Sequence, residues 1–353
     1  MAKKVLMKGN EAIAEAAIKS GCLHFFGYPI TPQTEISEYM AKRMPKVGGL
    51  CLQAESEVSA INMIMGAAAA GTRCLTSSSS PGISLKSEGI SYIVGCDLPC
   101  VIVNVQRGGP GLGGIQPSQQ DYYQATKANG HGDEHVLVLA PSSVQEMAQL
   151  TSEAFDLADI YRMPAMILAD GALGQMMEPV DFDVMSKRDV PEKTWACNGT
   201  EGKRKKNIVN SLLIDPVELE NSVLARFKRY EEIAEKEVKY EEYKCDDADI
   251  VIVAYGITAR ICKTAIAAAR AKGIKVGLLR PITLWPYPKK PLRALADTAK
   301  HFLVCELNMG QMVDDVKVAT ECKKPVSFFG RTGGMIPSPD EVLAEIEKLA
   351  QSL

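Results

Sequence analysis

Val101-Ile102-Val103-Asn104-Val105 runs into Gln106-Arg107-Gly108-Gly109-Pro110-Gly111-Leu112-Gly113-Gly114, a β-branched stretch that ends in a glycine-rich loop. An apolar run without polar alternation predicts a strand over 101–105 that is covered on both faces, as in a parallel sheet. The flanking sequence repeats the theme. Strands are predicted at 23–26, 51–53, 74–76, 136–139 and 165–168. Helices are predicted at 11–19, with Asn10 as its cap, and at 34–44, 55–70, 84–94 and 143–158. Strands alternating with helices imply an α/β fold: a parallel sheet with helices on both faces. Pro29 and Pro32 exclude a helix in Tyr28-Pro29-Ile30-Thr31-Pro32, which reads as a rigid loop at a strand end. The serine-rich stretch 77–82 also reads as a loop.

Periodicity fades after residue 178, and 219–242 reads as a charged helix with few apolar anchors. A second α/β unit begins at Ala248. It has predicted strands at 250–254, 276–279, 302–305 and 325–329, and helices at 259–272 and 339–349. The expected organisation is therefore a first unit over 1–180, an excursion and helical linker over 181–247, and a smaller α/β domain over 248–353.

The 353 residues are 46% hydrophobic with a net charge of −3, enough to build full cores. That balance argues against nucleic acid as a partner, and Lys203-Arg204-Lys205-Lys206 reads as a solvated loop. The stretch 1–9 lacks the apolar segment of a signal peptide. No window approaches the ~20 apolar residues of a membrane helix. A cytoplasmic protein without a membrane partner is expected. The ten cysteines, at 22, 51, 74, 96, 100, 197, 245, 262, 305 and 322, include no C-x-x-C pair. They read as reduced thiols, so electron carriers for any redox reaction would lie on other chains.

Two residues stand out chemically. Glu57 lies where a strand gives way to a small-residue helix. A carboxylate there either complements the helix dipole or is a buried acceptor for a cofactor nitrogen. Arg107 lies at the carboxyl end of the central strand, where ligands of open α/β sheets bind. Its fork suits a carboxylate or phosphate, or a structural ion pair. The loop after Arg107 is not a dinucleotide fingerprint, since its glycines do not give G-x-G-x-x-G and no helix follows at once. There is no phosphate-binding P-loop and no G-x-S-x-G elbow. His24, His131, His135 and His301 do not make a helical metal pair, and no metal ligand is assigned.

Taken in order, five motifs resemble the 2-oxoacid:ferredoxin oxidoreductases. Gly27-Tyr28-Pro29-Ile30-Thr31-Pro32 matches that family's YPITP loop. Residues 53–71 look like the segment that carries the glutamate of thiamine enzymes. Arg107-Gly108-Gly109-Pro110 matches the family's arginine turn. Arg280-Pro281-Ile282-Thr283-Leu284-Trp285-Pro286 and Glu306-Leu307-Asn308-Met309-Gly310-Gln311 look like its carboxyl-terminal domain. Many members, especially 2-oxoglutarate enzymes, continue the turn as P-S-T-G-x-P-T. Here it reads Pro110-Gly111-Leu112-Gly113-Gly114-Ile115-Gln116-Pro117-Ser118, which looks like the branched-chain, 2-oxoisovalerate type.

The resemblance implies an alpha-type subunit with a thiamine-diphosphate-binding (pyrimidine-domain) sheet and a transketolase C-terminal-like second domain. It implies CoA-dependent oxidative decarboxylation of a 2-oxo acid to acyl-CoA and CO2, with reduction of ferredoxin. Glu57 would accept a hydrogen bond from the aminopyrimidine. Arg107 would bind the substrate carboxylate, and Thr31 would hydrogen-bond substrate near the reacting carbon. Tyr28, Pro29, Ile30, Pro81 and Gly82 would line the cofactor together with Glu57. The G-D-G…N diphosphate signature and iron–sulfur motifs are absent from the chain. The resemblance therefore implies a beta subunit holding the diphosphate and Mg2+, a gamma subunit, and a ferredoxin-like subunit with 4Fe-4S clusters. The alternatives are a 2-oxoglutarate- or pyruvate-type alpha subunit, a scaffold subunit with a degenerate site, or a self-sufficient nucleotide-dependent enzyme. Intact Thr31, Glu57 and Arg107 argue against the scaffold, and the missing phosphate loop argues against the last.

Overall fold

The computed structural model describes residues 4–353; Met1, Ala2 and Lys3 of the amino-terminal stretch read above lie outside the described residues. The chain runs β1 (Val5–Lys8), α1 (Gly9–Lys19), β2 (His24–Gly27), α2 (Thr34–Arg43), β3 (Leu50–Gln53), α3 (Glu57–Ala69), β4 (Cys74–Ser78), α4 (Ser80–Gly95), β5 (Cys100–Gln106), α5 (Tyr122–Lys127), β6 (Leu137–Leu139), α6 (Val144–Tyr161), β7 (Pro164–Asp170), α7 (Gly171–Gln175) and β8 (Met177–Val180). It continues through α8 (Pro216–Lys236), β9 (Tyr240–Tyr243), β10 (Ile250–Val253), α9 (Gly256–Ala271), β11 (Val276–Pro281), β12 (Thr283–Trp285), α10 (Lys289–Thr298), β13 (His301–Glu306), α11 (Met312–Ala319), β14 (Val326–Gly330) and α12 (Pro339–Ala350).

The first sheet has the order β12-β6-β7-β5-β4-β2-β3, parallel except at β12. β5 and β7 are buried at all seven positions, as the unbroken apolar run requires. Successive side chains point to opposite faces. Val101, Val103 and Val105 pack with Ile13 and Ala17 of α1, Ile36 and Met40 of α2, and Met147 of α6. Ile102 faces the other way, into a core that holds Ile61 and Ile64 of α3 and Ile83 and Ile90 of α4. Helices thus cover both faces.

The second sheet has the order β14-β13-β10-β11-β9, parallel except for the edge strand β9. Val251 and Val253 of β10 share the core of α3 and α4, while Ile250 and Ile252 pack on α9 and α12. One apolar core therefore continues from one sheet to the other.

Several elements depart from the reading above. The stretch 80–82 is not loop but the first turn of α4, because Pro81 brings a φ already suited to that position. Lys8, not Asn10, flanks the start of α1, and Asn10 instead donates through Nδ2 to Pro32 O (2.8 Å). β9 lies within the stretch expected to be linker, yet pairs with β11. β12, from the motif assigned to the second unit, crosses over and pairs with β6. Arg280 reinforces that crossover. It is 4% exposed and donates from Nη1 and Nη2 to Glu146 on α6 (both 2.8 Å) and from Nε to Glu241 on β9 (2.8 Å). All ten cysteines are free. Among the described residues, no helix is long and apolar enough to cross a membrane.

Candidate functional site

The loops at the carboxyl ends of β2, β4 and β5 meet, which is where open α/β sheets bind ligands. Arg107 follows β5 directly and is 7% exposed. Its Nη1 donates to Thr31 O (3.0 Å) and its Nη2 to Leu112 O (3.0 Å), while Nε is buried without a partner. The guanidinium thus ties the β2 loop to the glycine-rich loop. Thr31 meets it through the main-chain oxygen rather than the hydroxyl. The Arg107 backbone N–H donates to Ser80 Oγ (3.1 Å), and the Ser80 hydroxyl donates to Asp121 Oδ2 (2.6 Å). Asn104 Nδ2 donates to the same oxygen (2.8 Å). Burial pushes the Asp121 carboxyl above its ordinary range, and these two hydrogen bonds hold it back.

Glu57 opens α3, whose cap is Ser56; Ser56 Oγ accepts from Ser59 N (3.1 Å). The Glu57 side chain is not directed to solvent as a simple partner for the helix dipole: the residue is 7% exposed and turns toward α4. A Cβ built on Gly82 would lie 2.8 Å from Glu57 Oε1 and 2.1 Å from Ser78 Oγ. A bare Cα is therefore what lets the carboxylate and the helix approach. The hydroxyls of Ser78 and Ser79 are buried beside it with no hydrogen-bond partner. Ser80 touches Arg107 and Gly82 touches Glu57, so one turn of α4 joins the two candidate residues.

Tyr28, Pro29 and Ile30 lie in the loop after β2. Gln33 pins that loop: its Nε2 donates to Tyr28 O (3.3 Å), its N–H donates to Ile30 O (3.2 Å), and its Oε1 accepts from Ser77 Oγ (2.5 Å). Gln33, Ser80, Asn104 and Asp121 were not singled out from sequence. Two signals were available: Gln33 directly follows the Tyr28–Pro32 loop, and Ser80 directly precedes Pro81.

The second unit closes the site from the side. A cleft of about 690 Å³ runs between Pro81, Leu85 and Gly109 of the first unit and Asn308, Met309 and Gln311 of the second. Glu306, 1% exposed, holds the 307–311 loop. Its carboxylate accepts from Asn308 Nδ2 (2.8 Å) and from the backbone N–H groups of Gln311, Met312 and Val313 (3.2, 2.9 and 3.2 Å). Burial raises its pKa and those hydrogen bonds oppose the rise. Asn308 Nδ2 also donates to Gln119 O (2.7 Å), and Gln311 Nε2 donates to Gln120 O (2.8 Å). The two units are thereby locked together at the cleft. Leu85 (55%), Leu112 (84%), Ile115 (57%) and Met309 (76%) stand exposed on its walls and on the glycine-rich loop.

Residues 15–243 match the family described as pyruvate flavodoxin/ferredoxin oxidoreductase, thiamine-diphosphate-binding. Residues 248–342 match pyruvate:ferredoxin oxidoreductase core domain II. The chain is 49% identical over 345 residues to the ketoisovalerate oxidoreductase subunit VorB of Methanothermobacter thermautotrophicus, covering 98% of this chain and 97% of that protein. It is 35% identical over 374 residues to the 2-oxoglutarate synthase subunit KorA of Methanothermobacter marburgensis, covering 98% and 99%. Among solved structures it is similar to 2-oxoglutarate:ferredoxin oxidoreductase from Magnetococcus marinus, described with 2-oxoglutarate, coenzyme A and succinyl-CoA bound. That likeness has a TM-score of 0.89 at 27% identity and covers 99% of this chain and 66% of the other.

Proposed function

The chain belongs to the pyruvate flavodoxin/ferredoxin oxidoreductase family, and from that premise we propose that it is the pyrimidine-binding subunit of a ketoisovalerate-type 2-oxoacid:ferredoxin oxidoreductase. The complex would convert a branched 2-oxo acid, coenzyme A and oxidised ferredoxin into acyl-CoA, CO2 and reduced ferredoxin, in the cytoplasm. The carrying observation is that one turn of α4 joins Glu57, across the bare face of Gly82, to Arg107, which in turn holds Thr31.

The residues fit thiamine diphosphate. Glu57 accepts no hydrogen bond from other described residues, Ser78 and Ser79 offer buried free hydroxyls, and Gly82 leaves a flat wall. When bound, that cofactor supplies a carbon nucleophile for the 2-oxo carbonyl and an electron sink for loss of CO2. Glu57 would accept a hydrogen bond from the aminopyrimidine, and Tyr28, Pro29, Ile30, Pro81 and Gly82 would wall the ring. Arg107 would take the substrate carboxylate, and Thr31 would contact substrate near the reacting carbon. In this reading residues 1–180 form the pyrimidine-binding unit, 181–247 the excursion and linker, and 248–353 the domain that closes the cleft. The apolar rim of that cleft supports a partner subunit as its cover, since exposed apolar patches mark interaction surfaces. A beta subunit would carry the diphosphate and Mg2+, and a ferredoxin-like subunit the 4Fe-4S clusters, with a gamma subunit completing the complex.

Purification of the tagged chain from its host, with mass spectrometry of what accompanies it, tests this. Co-purification of a G-D-G…N chain and of a ferredoxin-like chain is expected, with dye reduction fastest on 2-oxoisovalerate. A chain isolated alone would undercut the composite site, and a complex that prefers 2-oxoglutarate would reassign the substrate. Gly82→Ala is expected to weaken thiamine diphosphate binding by the complex about tenfold or more, because the added methyl overfills a packed contact. Calorimetric titration reads this directly, and an unchanged affinity would remove Gly82 from the cofactor wall.

A further inference from the structure

Lys86 lies on α4, one turn beyond Gly82, with 0% of its surface exposed. Its Nζ donates to Thr76 Oγ1 (2.8 Å) and Ser77 O (3.1 Å), both on β4. An ammonium carries three donors, and two are used in this way. Residues four apart lie on one face of a helix. Lys86 therefore projects from the same face of α4 as Gly82, where a Cβ would lie 2.8 Å from Glu57 Oε1. Burial lowers the Lys86 pKa to about 7, and the negative charge of Glu57 opposes the drop. Among the described residues Glu57 is the ionisable group that acts on it; β4 presents Thr76 and Ser77, which do not titrate.

A buried lysine held by neutral partners is costly, and an apolar side chain of similar size generally suits a core better. The two acceptors of Lys86 on β4 are neutral, so the strand supplies no countercharge. Costly groups of this kind are retained where function uses them.

We propose that Lys86 is a positioning residue for Glu57, an opposite charge on the same face of α4 that directs the carboxylate toward the cofactor. The proposal rests on the cofactor role given to Glu57 above, and two separate readouts distinguish failure of one from failure of the other. The first is thiamine diphosphate affinity of the assembled complex. Lys86→Met is expected to lower it about tenfold or more when Glu57 is present, and to add nothing in a Glu57→Gln background. Lys86→Gln, which keeps a donor for Thr76 without the charge, is expected to lose as much as Lys86→Met. Equal losses with and without Glu57, or full affinity in Lys86→Gln, would overturn the proposal.

The second readout is unfolding of the complex as a function of pH. The unfolded chain binds the Lys86 proton up to about pH 10, whereas the folded chain releases it near pH 7. Stability therefore rises with pH between those limits. Lys86→Met removes that rise, and Glu57→Gln, by deleting the opposing charge, extends it below pH 7. A lower limit that stays put in Glu57→Gln would show the two groups to be uncoupled and sink the proposal. If Glu57→Gln keeps full cofactor affinity while the lower limit moves, the pair stands and the cofactor role of Glu57 is what fails.

Discussion

Glu57→Gln is expected to lower turnover of the assembled complex by about 10²–10⁴-fold, the usual cost of losing a placed acid–base group. The substitution is nearly isosteric, so the contact with Gly82 and the cap at Ser56 persist. Folding and subunit assembly should be retained. What changes is chemical. A carboxylate can hold a proton in one state and a full negative charge in the other, and an amide can do neither. The side chain is buried, so water does not stand in for it. The loss should appear in kcat with a much smaller change in KM for the 2-oxo acid, because Arg107 and Thr31 are left intact. Steady-state dye reduction at saturating substrate measures this. Turnover within a few-fold of the unsubstituted complex would show that Glu57 only complements the dipole of α3.

The fold was legible because its central elements are locally unambiguous. Val101–Val105 and the run around Met166 have no alternative to burial in a parallel sheet, and the strand–helix alternation sets the architecture. What local pattern misses is pairing at the edges. β1 buries one of its four residues and β8 one, so neither shows a periodic signal, yet they pair with each other. β12 has three residues and is joined by sequence to the second unit, and long-range ties such as that of Arg280 to Glu146 help it complete the first sheet. The site divides in the same way. Glu57 and Arg107 stood out because residue type and position coincide at the ends of strands, whereas Thr31 entered only through the resemblance carried by its loop. Gln33, Ser80 and Asp121 are ordinary polar residues until the fold brings partners from 40 or more positions away, as for Gln33 with Ser77 and Ser80 with Asp121. Lys86 lies in a stretch that reads from sequence simply as a helix, and a lysine there gives no sign that it points inward.

Arg107→Ala is expected to cut kcat/KM for the 2-oxo acid by about 10²–10³, in line with the 2–5 kcal/mol lost when one member of a buried charged pair is truncated. Two effects add. The cation that would meet the substrate carboxylate disappears. Thr31 O and Leu112 O also lose their donor, and the glycine-rich loop is no longer fastened to the loop after β2. Arg107 has five N–H donors, of which the two main-chain oxygens engage Nη1 and Nη2, and Nε is buried without a partner. Such a fork can hold both loops and still present N–H groups to a carboxylate. An ammonium cannot span these positions, so Arg107→Lys should recover little of the loss. Thiamine diphosphate affinity should change far less than substrate saturation, since Glu57 and Gly82 belong to the other end of the α4 turn. Substrate titrations on the two variants, paired with calorimetric cofactor titrations, separate the effects. Unchanged saturation by the 2-oxo acid in Arg107→Ala would confine the guanidinium to fastening loops and leave the carboxylate receptor to another chain.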